Sequence, residues 1–181
     1  MRLGVYVGSF NPPHLGHLKV VNFLLDNNYL DKVVILPAPN NYDKNDLVDV
    51  KHRVAMLRIF ETDKIIIDDV HNKKYTYEEL DEVGKYYKDA TLYLIMGADN
   101  LAELHTWKKV EELLKYNIIV LKRGDIDIEE CLNKFDRSKF TIVDNFDFID
   151  VSSTKIREGN DDNLDPRVLQ YIRKNKLYGR K

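Results

Sequence analysis

Short apolar runs alternate along the chain with stretches of helical spacing. The runs are near-continuous and rich in β-branched residues, which is the pattern of strands buried on both faces. They are Leu3 to Val7, Val33 to Leu36, Ile65 to Ile67, Leu92 to Met96 and Ile118 to Leu121. Apolar residues at helical spacing separate them, at Leu15 to Leu25, Val50 to Phe60, Tyr77 to Tyr87 and Val110 to Leu114. This alternation predicts an α/β fold with a Rossmann-like, doubly wound parallel sheet.

After about residue 124 the pattern changes to a polar, acidic segment. A weaker strand follows at Phe140 to Val143, then a helix from Thr154 and another from Pro166 to Lys174. We expect this small helical subregion to pack onto the sheet, because 181 residues with 44% apolar content suit one core. The chain is therefore predicted to be a single domain spanning residues 1–181. Its longest polar connection within the sheet region, Pro37 to Asp49, is a candidate functional loop.

The charge balance gives no sign of a nucleic-acid partner, since 28 Lys and Arg face 30 Asp and Glu. No apolar run approaches the ~20 residues of a membrane span, and Gly, Asn and Pro interrupt the N-terminal run before it can form a signal-peptide core. The single Cys131 excludes an intramolecular disulfide and a multi-cysteine metal cluster. We expect a soluble cytoplasmic protein, and the sequence leaves open whether it forms homo-oligomers.

The segment Gly8 to His17, which reads G-S-F-N-P-P-H-L-G-H, lies where the first predicted strand gives way to the first helix. Parallel sheets bind ligands at the carboxyl ends of their strands, where a glycine admits a phosphate and a helix start offers free N–H groups. His14 and His17 are three residues apart and can face one anion. The segment is neither a dinucleotide fingerprint nor a P-loop. A proline-shaped turn with helix-capping histidines is the structural alternative.

Two later segments carry similar chemistry. Gly97 and Asp99 follow the fourth strand, where a carboxylate can accept hydrogen bonds from ribose hydroxyls. Trp107, the single tryptophan, can stack on a pyridine or purine ring or simply belong to the core. Hydroxyl residues at 152–154 precede a helical pattern, so they suit either an ordinary N-cap or an anion site beside Arg157.

These segments together resemble one family. Gly8 to His17 contains the H-x-G-H signature of the nucleotidyltransferase superfamily, and Met96 to Leu101 reads M-G-A-D-N-L. Val151 to Arg157 reads V-S-S-T-K-I-R. In this order, with Trp107 after the second, they resemble the nicotinate (nicotinamide) mononucleotide adenylyltransferases over positions 8 to 157. The resemblance implies an enzyme of NAD biosynthesis that transfers AMP from ATP to nicotinate mononucleotide, forming deamido-NAD and pyrophosphate, with Mg²⁺ accompanying ATP.

For this reaction we expect the catalytic residues to be His14, His17 and Arg157. The histidines are assigned to α- and β-phosphate oxygens, and the resemblance places the β- and γ-phosphates on Arg157 and the hydroxyl residues before it. The ATP-binding residues are expected to be Gly8, Ser9, Phe10, Gly97, Asp99, Arg123, Ser153 and Thr154. No protein ligand is assigned to the metal, because phosphates and water can hold Mg²⁺.

The expected mononucleotide site comprises Lys44, Arg53, Thr76 and Trp107. The resemblance places the pyridine ring at Trp107 and at the segment Tyr75 to Tyr77, whereas Lys44 and Arg53 are candidates for the acceptor's 5′-phosphate. Here the sequence departs from the family, which often has P-P-H-K in this loop, because residues 40–44 read N-N-Y-D-K. Core packing is an equal alternative for the two tyrosines.

Several alternatives stay open. The acceptor is nicotinamide mononucleotide in some enzymes of this family, although the chain length and the segments at 49–53 and 75–77 resemble the bacterial nicotinate enzymes. Phosphopantetheine adenylyltransferases and cytidylyltransferases generally have Thr where His14 stands, and they lack the G-A-D-N-L segment. A nucleotide sensor without turnover is the alternative from another functional class.

Overall fold

The structure is a computed structural model that describes residues 1–41 and 46–181. Within these ranges the chain forms one six-stranded sheet in which all paired strands are parallel. The strands are β1 (Arg2–Gly8), β2 (Lys32–Pro37), β3 (Ile65–Ile67), β4 (Thr91–Gly97), β5 (Asn117–Leu121) and β6 (Phe140–Val143). Their order in the sheet is β3-β2-β1-β4-β5-β6. The predicted Rossmann-like fold is confirmed, including the weak strand β6.

Eight α-helices lie in the described part of the chain. They are α1 (Leu15–Asp26), α2 (Val50–Arg58), α3 (Thr76–Tyr86), α4 (Ala98–Glu103), α5 (Val110–Leu113), α6 (Ile128–Leu132), α7 (Ser153–Arg157) and α8 (Pro166–Lys174). Sequence spacing did not predict α4, which begins directly after β4, or α6, a short helix inside the acidic segment. The N-cap of α6 is Asp127, whose side chain accepts a hydrogen bond from the backbone N–H of Glu130 at 3.1 Å. No described helix has the length and apolar content of a membrane span.

The strands are buried on both faces, and consecutive residues of a strand pack into the cores on opposite sides of the sheet. Val33 and Ile35 of β2 pack into one core with the apolar residues of α1 and α2. Val34 and Leu36 pack into the other core, with residues of α3, α4 and α5. Because each face needs an apolar side chain, the strand sequences contain few polar interruptions.

A third apolar cluster joins the C-terminal helices to α2. Val168 and Ile172 of α8 and Ile156 of α7 are at most 1% exposed, and they share this cluster with Met56 of α2. The predicted helical subregion therefore packs onto the helix that covers β2 and β3. That the whole chain unfolds as a single domain stays a prediction.

The chain changes winding direction at β1, which pairs with β2 on one side and β4 on the other. Connections that leave in opposite directions open a crevice at the carboxyl ends of the two central strands. Those ends are Gly8 in β1 and Gly97 in β4. The fold thus brings together the first two segments that carry candidate chemistry.

Ile172→Ala tests whether the C-terminal helices belong to the same folding unit. Loss of a side chain that is 1% exposed should lower the free energy of unfolding by about 2 to 5 kcal/mol. Urea denaturation followed by circular dichroism should show one transition that moves as a whole. Val70→Ala, at a position 73% exposed, is the control and should change stability by less than about 0.5 kcal/mol. A separate early transition in Ile172→Ala would contradict a single domain.

Candidate active site

Two cavities open side by side in the crevice. The first, of about 450 Å³, includes His14, His17, Asp99 and Arg123 in its lining, and we call it the histidine cavity. The second, of about 580 Å³, is lined in part by Lys73, Lys74, Thr76 and Lys108, and we call it the lysine cavity. Both cavities are bordered by Val7, Gly8, Asn100 and Trp107. Ligands held in the two cavities would therefore meet at the end of β1.

The two histidines form a stacked pair at the start of α1. Their ring centroids are 3.6 Å apart with 20° between the planes. The backbone N–H of His14 donates to Nδ1 of His17 at 3.1 Å. Because Nδ1 accepts this hydrogen bond, the neutral ring of His17 carries its hydrogen on Nε2. His17 is therefore arranged as a hydrogen-bond donor through Nε2.

Burial keeps both imidazoles uncharged. It lowers the pKa of His14 to about 4, with the positive charge of Arg123 adding to the effect. Burial also lowers the pKa of His17 well below its usual range, and the neighbouring His14 contributes. At neutral pH the pair can offer N–H donors to an anion without two positive charges opposing each other.

Gly16, the third residue of the H-x-G-H signature, leaves the space that the His14 ring needs. A Cβ at this position would lie 2.7 Å from a methyl group of Val151 and 3.0 Å from Cε1 and Nδ1 of His14. These distances are tighter than ordinary packing, so a side chain here would require Val151, the His14 ring or both to move. The signature is thus explained by packing as well as by chemistry.

The start of α7 is docked onto the loop between β1 and α1. The hydroxyl of Ser153 donates to the carbonyl of Pro12 at 2.9 Å, and Arg157 donates to the carbonyl of Asn11 at 2.8 Å. Arg157 also donates to the hydroxyl of Thr154 at 3.3 Å. A third cavity, of about 430 Å³, is lined by Ser9, Phe10, Asn11, His17, Asp46, Leu47, Ser153, Thr154 and Arg157. The predicted C-terminal box therefore lies beside the histidine pair.

Ser152 is the N-cap of α7, because its hydroxyl oxygen accepts a hydrogen bond from the backbone N–H of Lys155 at 3.2 Å. The capping alternative that the sequence left open is therefore correct for Ser152. Capping by Ser152 leaves Ser153 and Thr154 available for an anion, because both line the neighbouring cavity.

The end of β4 shapes the far wall of the histidine cavity. A Cβ on Gly97 would lie 2.6 Å from Oδ1 of Asp99, so glycine lets this carboxylate lie close against the strand end. The guanidinium of Arg123 stacks over the ring of Phe148, with 5.2 Å to the centroid. Asp99 and Arg123 thus supply a hydrogen-bond acceptor and a cation to the same cavity.

The lysine cavity contains two of the residues predicted for the mononucleotide, Thr76 and Trp107. Thr76 is the first residue of α3, and the ammonium of Lys108 lies 4.4 Å from the centroid of the Tyr75 ring. Tyr75 lines the cavity. The ring of Tyr77 stacks on the ring of Tyr75 and packs against the apolar core. Core packing is therefore confirmed for Tyr77, whereas contact of Tyr75 with a ligand stays a prediction.

Arg53 does not reach either cavity, which corrects its predicted contact with the acceptor phosphate. It is 0% exposed, and its guanidinium donates to the carbonyls of Val48 (2.9 Å), Ser9 (2.8 Å) and Ala38 (2.6 Å). These hydrogen bonds hold the loops after β1 and β2 together. Lys44 lies outside the described residues.

Sequence reasoning missed the lysines and the buried Glu79 of the second cavity. The available signal was position: Lys73 and Lys74 directly precede the Tyr75 to Tyr77 segment, and Lys108 directly follows Trp107. Cations beside both predicted ligand contacts make the lysine cavity attractive to an anionic ligand.

Comparison with known proteins agrees with the fold and shows the family of the chain. The profile of the cytidylyltransferase-like family matches residues 5–159. A probable nicotinate-nucleotide adenylyltransferase of Acholeplasma laidlawii is 33% identical over 96% of this chain and 96% of its own length. One of Fusobacterium nucleatum is 33% identical over 87% of this chain and 86% of its own length. The nicotinic acid mononucleotide adenylyltransferase of Plasmodium falciparum, solved with NaAD, has a TM-score of 0.83 at 23% identity, covering 99% and 98% of the two chains.

These matches define the chain as a nucleotidyltransferase of the cytidylyltransferase-like family. The family match extends from β1 to α7. Within this class the chain belongs to the nicotinate-nucleotide adenylyltransferases.

The depressed pKa of His14 predicts a loss of stability in mild acid. The unfolded chain protonates this imidazole near pH 6.5, whereas the folded protein does so near pH 4. The stability is therefore intact above about pH 6.5 and falls as the pH decreases toward 4. Between pH 7 and 5, the wild type should lose about 2 kcal/mol more unfolding free energy than His14→Gln. Urea denaturation at each pH measures this difference, and parallel pH curves would show that the imidazole is not buried in its neutral form.

Proposed function

We propose that the enzyme transfers AMP from ATP to nicotinate mononucleotide, releasing pyrophosphate and forming deamido-NAD. The observation that carries this proposal is the pair of adjoining cavities that share Gly8 and Trp107, with two neutral histidines near their junction. The names of the curated relatives support this acceptor. Further support comes from the shared fold of the Plasmodium enzyme, which was solved once with NaAD and once with APC.

ATP fits the histidine cavity in this proposal. Its α- and β-phosphates lie at the start of α1 beside His14 and His17, and its ribose lies at Asp99. The β- and γ-phosphates extend toward Thr154 and Arg157 in the third cavity, which also contains His17. Arg123 adds positive charge to the cavity wall. The dipole of α1 adds a positive partial charge at this end of the helix, which favours an anion.

Nicotinate mononucleotide fits the lysine cavity. Its pyridine ring lies against Trp107, an arrangement that the indole face suits. The ring's carboxylate lies toward Thr76 at the start of α3, and the 5′-phosphate points toward Gly8 and Ser9 at the border between the cavities. Lys73 and Lys108 favour an acceptor that carries negative charge at both ends.

The transfer needs no covalent intermediate. A phosphate oxygen of the mononucleotide attacks the α-phosphorus of ATP in line, one P–O bond forms, and the bond to pyrophosphate breaks on the opposite side. The attacking phosphate has a second pKa of about 6, so it is ionised at neutral pH without a general base. The protein therefore acts by positioning and by donating hydrogen bonds to oxygens that gain charge, as the Nε2–H of His17 can do.

Nucleotidyltransferases of this kind usually use a divalent metal with ATP, and we propose Mg²⁺. The described residues contain no group of three or more His, Cys, Asp and Glu side chains arranged to hold a metal. Mg²⁺ prefers phosphate and water oxygens, so in this proposal the ion enters with the triphosphate. The carboxylate of Asp99 lies in the same cavity. The ion would neutralise phosphate charge during the transfer.

The direct test is pyrophosphate release by the purified protein with ATP and Mg²⁺, using nicotinate mononucleotide, nicotinamide mononucleotide or phosphopantetheine as acceptor. We expect release with the pyridine nucleotides and a higher kcat/KM for the nicotinate form. Release with phosphopantetheine alone would favour the related adenylyltransferase. No release with any of the three from a folded protein would favour a nucleotide sensor.

Two substitutions of His17 separate the two functions of its imidazole, the acceptor at Nδ1 and the donor at Nε2. In His17→Asn the amide oxygen can still accept from the His14 backbone, but the Nε2 donor is lost, so kcat should fall on the order of 10²-fold. His17→Gln places an amide N–H near the position of Nε2 and should retain more turnover. Steady-state kinetics at saturating ATP measures both. Unchanged kcat in His17→Asn would remove His17 from the catalytic set.

A further inference from the structure

Glu79 is a buried carboxyl group that the proposed mechanism does not use. It is 4% exposed, lines the lysine cavity, and lies one helical turn after Thr76 on α3. Among the described residues, the hydrogen bond that it accepts comes from the backbone N–H of Lys73 at 3.3 Å. Two carboxylate oxygens have about four acceptor sites, so most of this group's hydrogen-bonding capacity is unused.

The surroundings of Glu79 do not neutralise a negative charge. Lys73 and Lys74 border the cavity from the segment before α3, Lys108 from the segment after Trp107, and Tyr75 caps the helix. In the described part of the chain neither Lys73 nor Lys108 forms an ion pair with Glu79, and its neighbour Glu78 adds repulsion. Burial raises the pKa of Glu79 to about 8. The carboxyl group is therefore protonated at neutral pH and has a hydroxyl hydrogen to donate.

We propose that Glu79 is a specificity-determining residue that hydrogen-bonds the ring substituent of the acceptor and makes the preference for nicotinate over nicotinamide mononucleotide dependent on pH. This inference rests on the proposed function, which places the pyridine ring in the lysine cavity. The positions of Thr76 and Trp107 in the same cavity put the ring substituent near the start of α3.

The two protonation states of Glu79 favour different acceptors. In its protonated form the hydroxyl donates to the carboxylate of nicotinate, a charge-assisted hydrogen bond. Once ionised, Glu79 repels that carboxylate and can instead accept a hydrogen bond from the amide of nicotinamide. Both acceptors carry the same ribose and 5′-phosphate, so the titration of the phosphate cancels in the ratio of their kcat/KM values. The lysines attract the extra carboxylate of the nicotinate form, but they do so equally in the wild type and in Glu79→Gln, so the comparison of the two proteins isolates the titration of Glu79.

The test measures this ratio, nicotinate over nicotinamide mononucleotide, from pH 6.5 to 9.5. For the wild type we expect a constant ratio up to about pH 7.5 and a fall of about tenfold per pH unit above 8, following the protonated fraction. Glu79→Gln keeps an N–H donor and an acceptor for the Lys73 backbone but does not titrate, so its ratio should stay constant with pH. Glu78→Gln is the matched control, because Glu78 lines a different groove. Its ratio should still fall with rising pH, with a midpoint slightly lower than in the wild type because the repulsion from Glu78 is removed.

Binding without turnover provides a second readout. Trp107 is the chain's single tryptophan and lies in the cavity, so its fluorescence reports on each mononucleotide in the absence of ATP. The Kd for the nicotinate form should rise above pH 8 in the wild type and stay constant in Glu79→Gln.

Two outcomes would overturn the inference while leaving the proposed function in place. The first is a ratio in the wild type that does not change with pH, or that changes equally in Glu79→Gln. The second is an equal loss of kcat/KM for both acceptors in Glu79→Gln, which would mean that Glu79 contacts a part they share. If the wild type released no pyrophosphate from ATP with either acceptor, the proposed function and the inference would be overturned together.

Discussion

The site depends on how the carbonyl groups of the loop after β1 are bound. Consecutive stretches of this loop accept hydrogen bonds from donors far away in the chain: Ser9 from Arg53, Asn11 from Arg157 and Pro12 from Ser153. A buried carbonyl without a partner is costly, so each bond removes an alternative conformation of the loop. The histidine pair begins two residues later, and its position follows from these constraints.

The side chain of Asn11 connects the loop after β1 to two other parts of the chain. It is 3% exposed, donates to the carbonyl of Asp46, and accepts from the backbone N–H of Val48 and the hydroxyl of Tyr178. The loop before α2 and the C-terminal end are therefore fastened to one amide. This explains why the helical subregion, although far from the sheet in sequence, forms part of the wall of the site. Preorganisation of this kind lets hydrogen-bond donors act without rearrangement during the reaction.

Most of the fold was readable from the sequence because buried parallel strands leave a clear pattern. The strands β3 and β6 were predicted to the residue, and the helix at Pro166–Lys174 was as well. The helix α4 was missed because the segment after Gly97 was interpreted through its chemistry and is too short for periodicity. Of the site, the sequence identified the residues of the three segments, which the fold brings to neighbouring cavities.

The sequence did not predict which charged side chains are buried. Arg53 was assigned to the acceptor phosphate and Glu79 was passed over, since Arg and Glu are rarely fully buried. Both nevertheless lie at helical spacing with apolar residues, Arg53 with Met56 and Leu57, and Glu79 with Val83. A charged residue on the apolar face of a predicted helix was the available signal, but its partners are backbone groups that a sequence does not display.

The burial of Arg53 has an electrostatic consequence beyond the loops that it holds. Its bonds go to carbonyl oxygens, and in the described part of the chain no carboxylate pairs with it. A guanidinium keeps its charge at physiological pH. The protein therefore carries a permanent positive charge beneath the loop after β1, in a medium that screens it weakly. Its field extends into the crevice, so a residue that lines neither main cavity still makes the crevice attractive to anions.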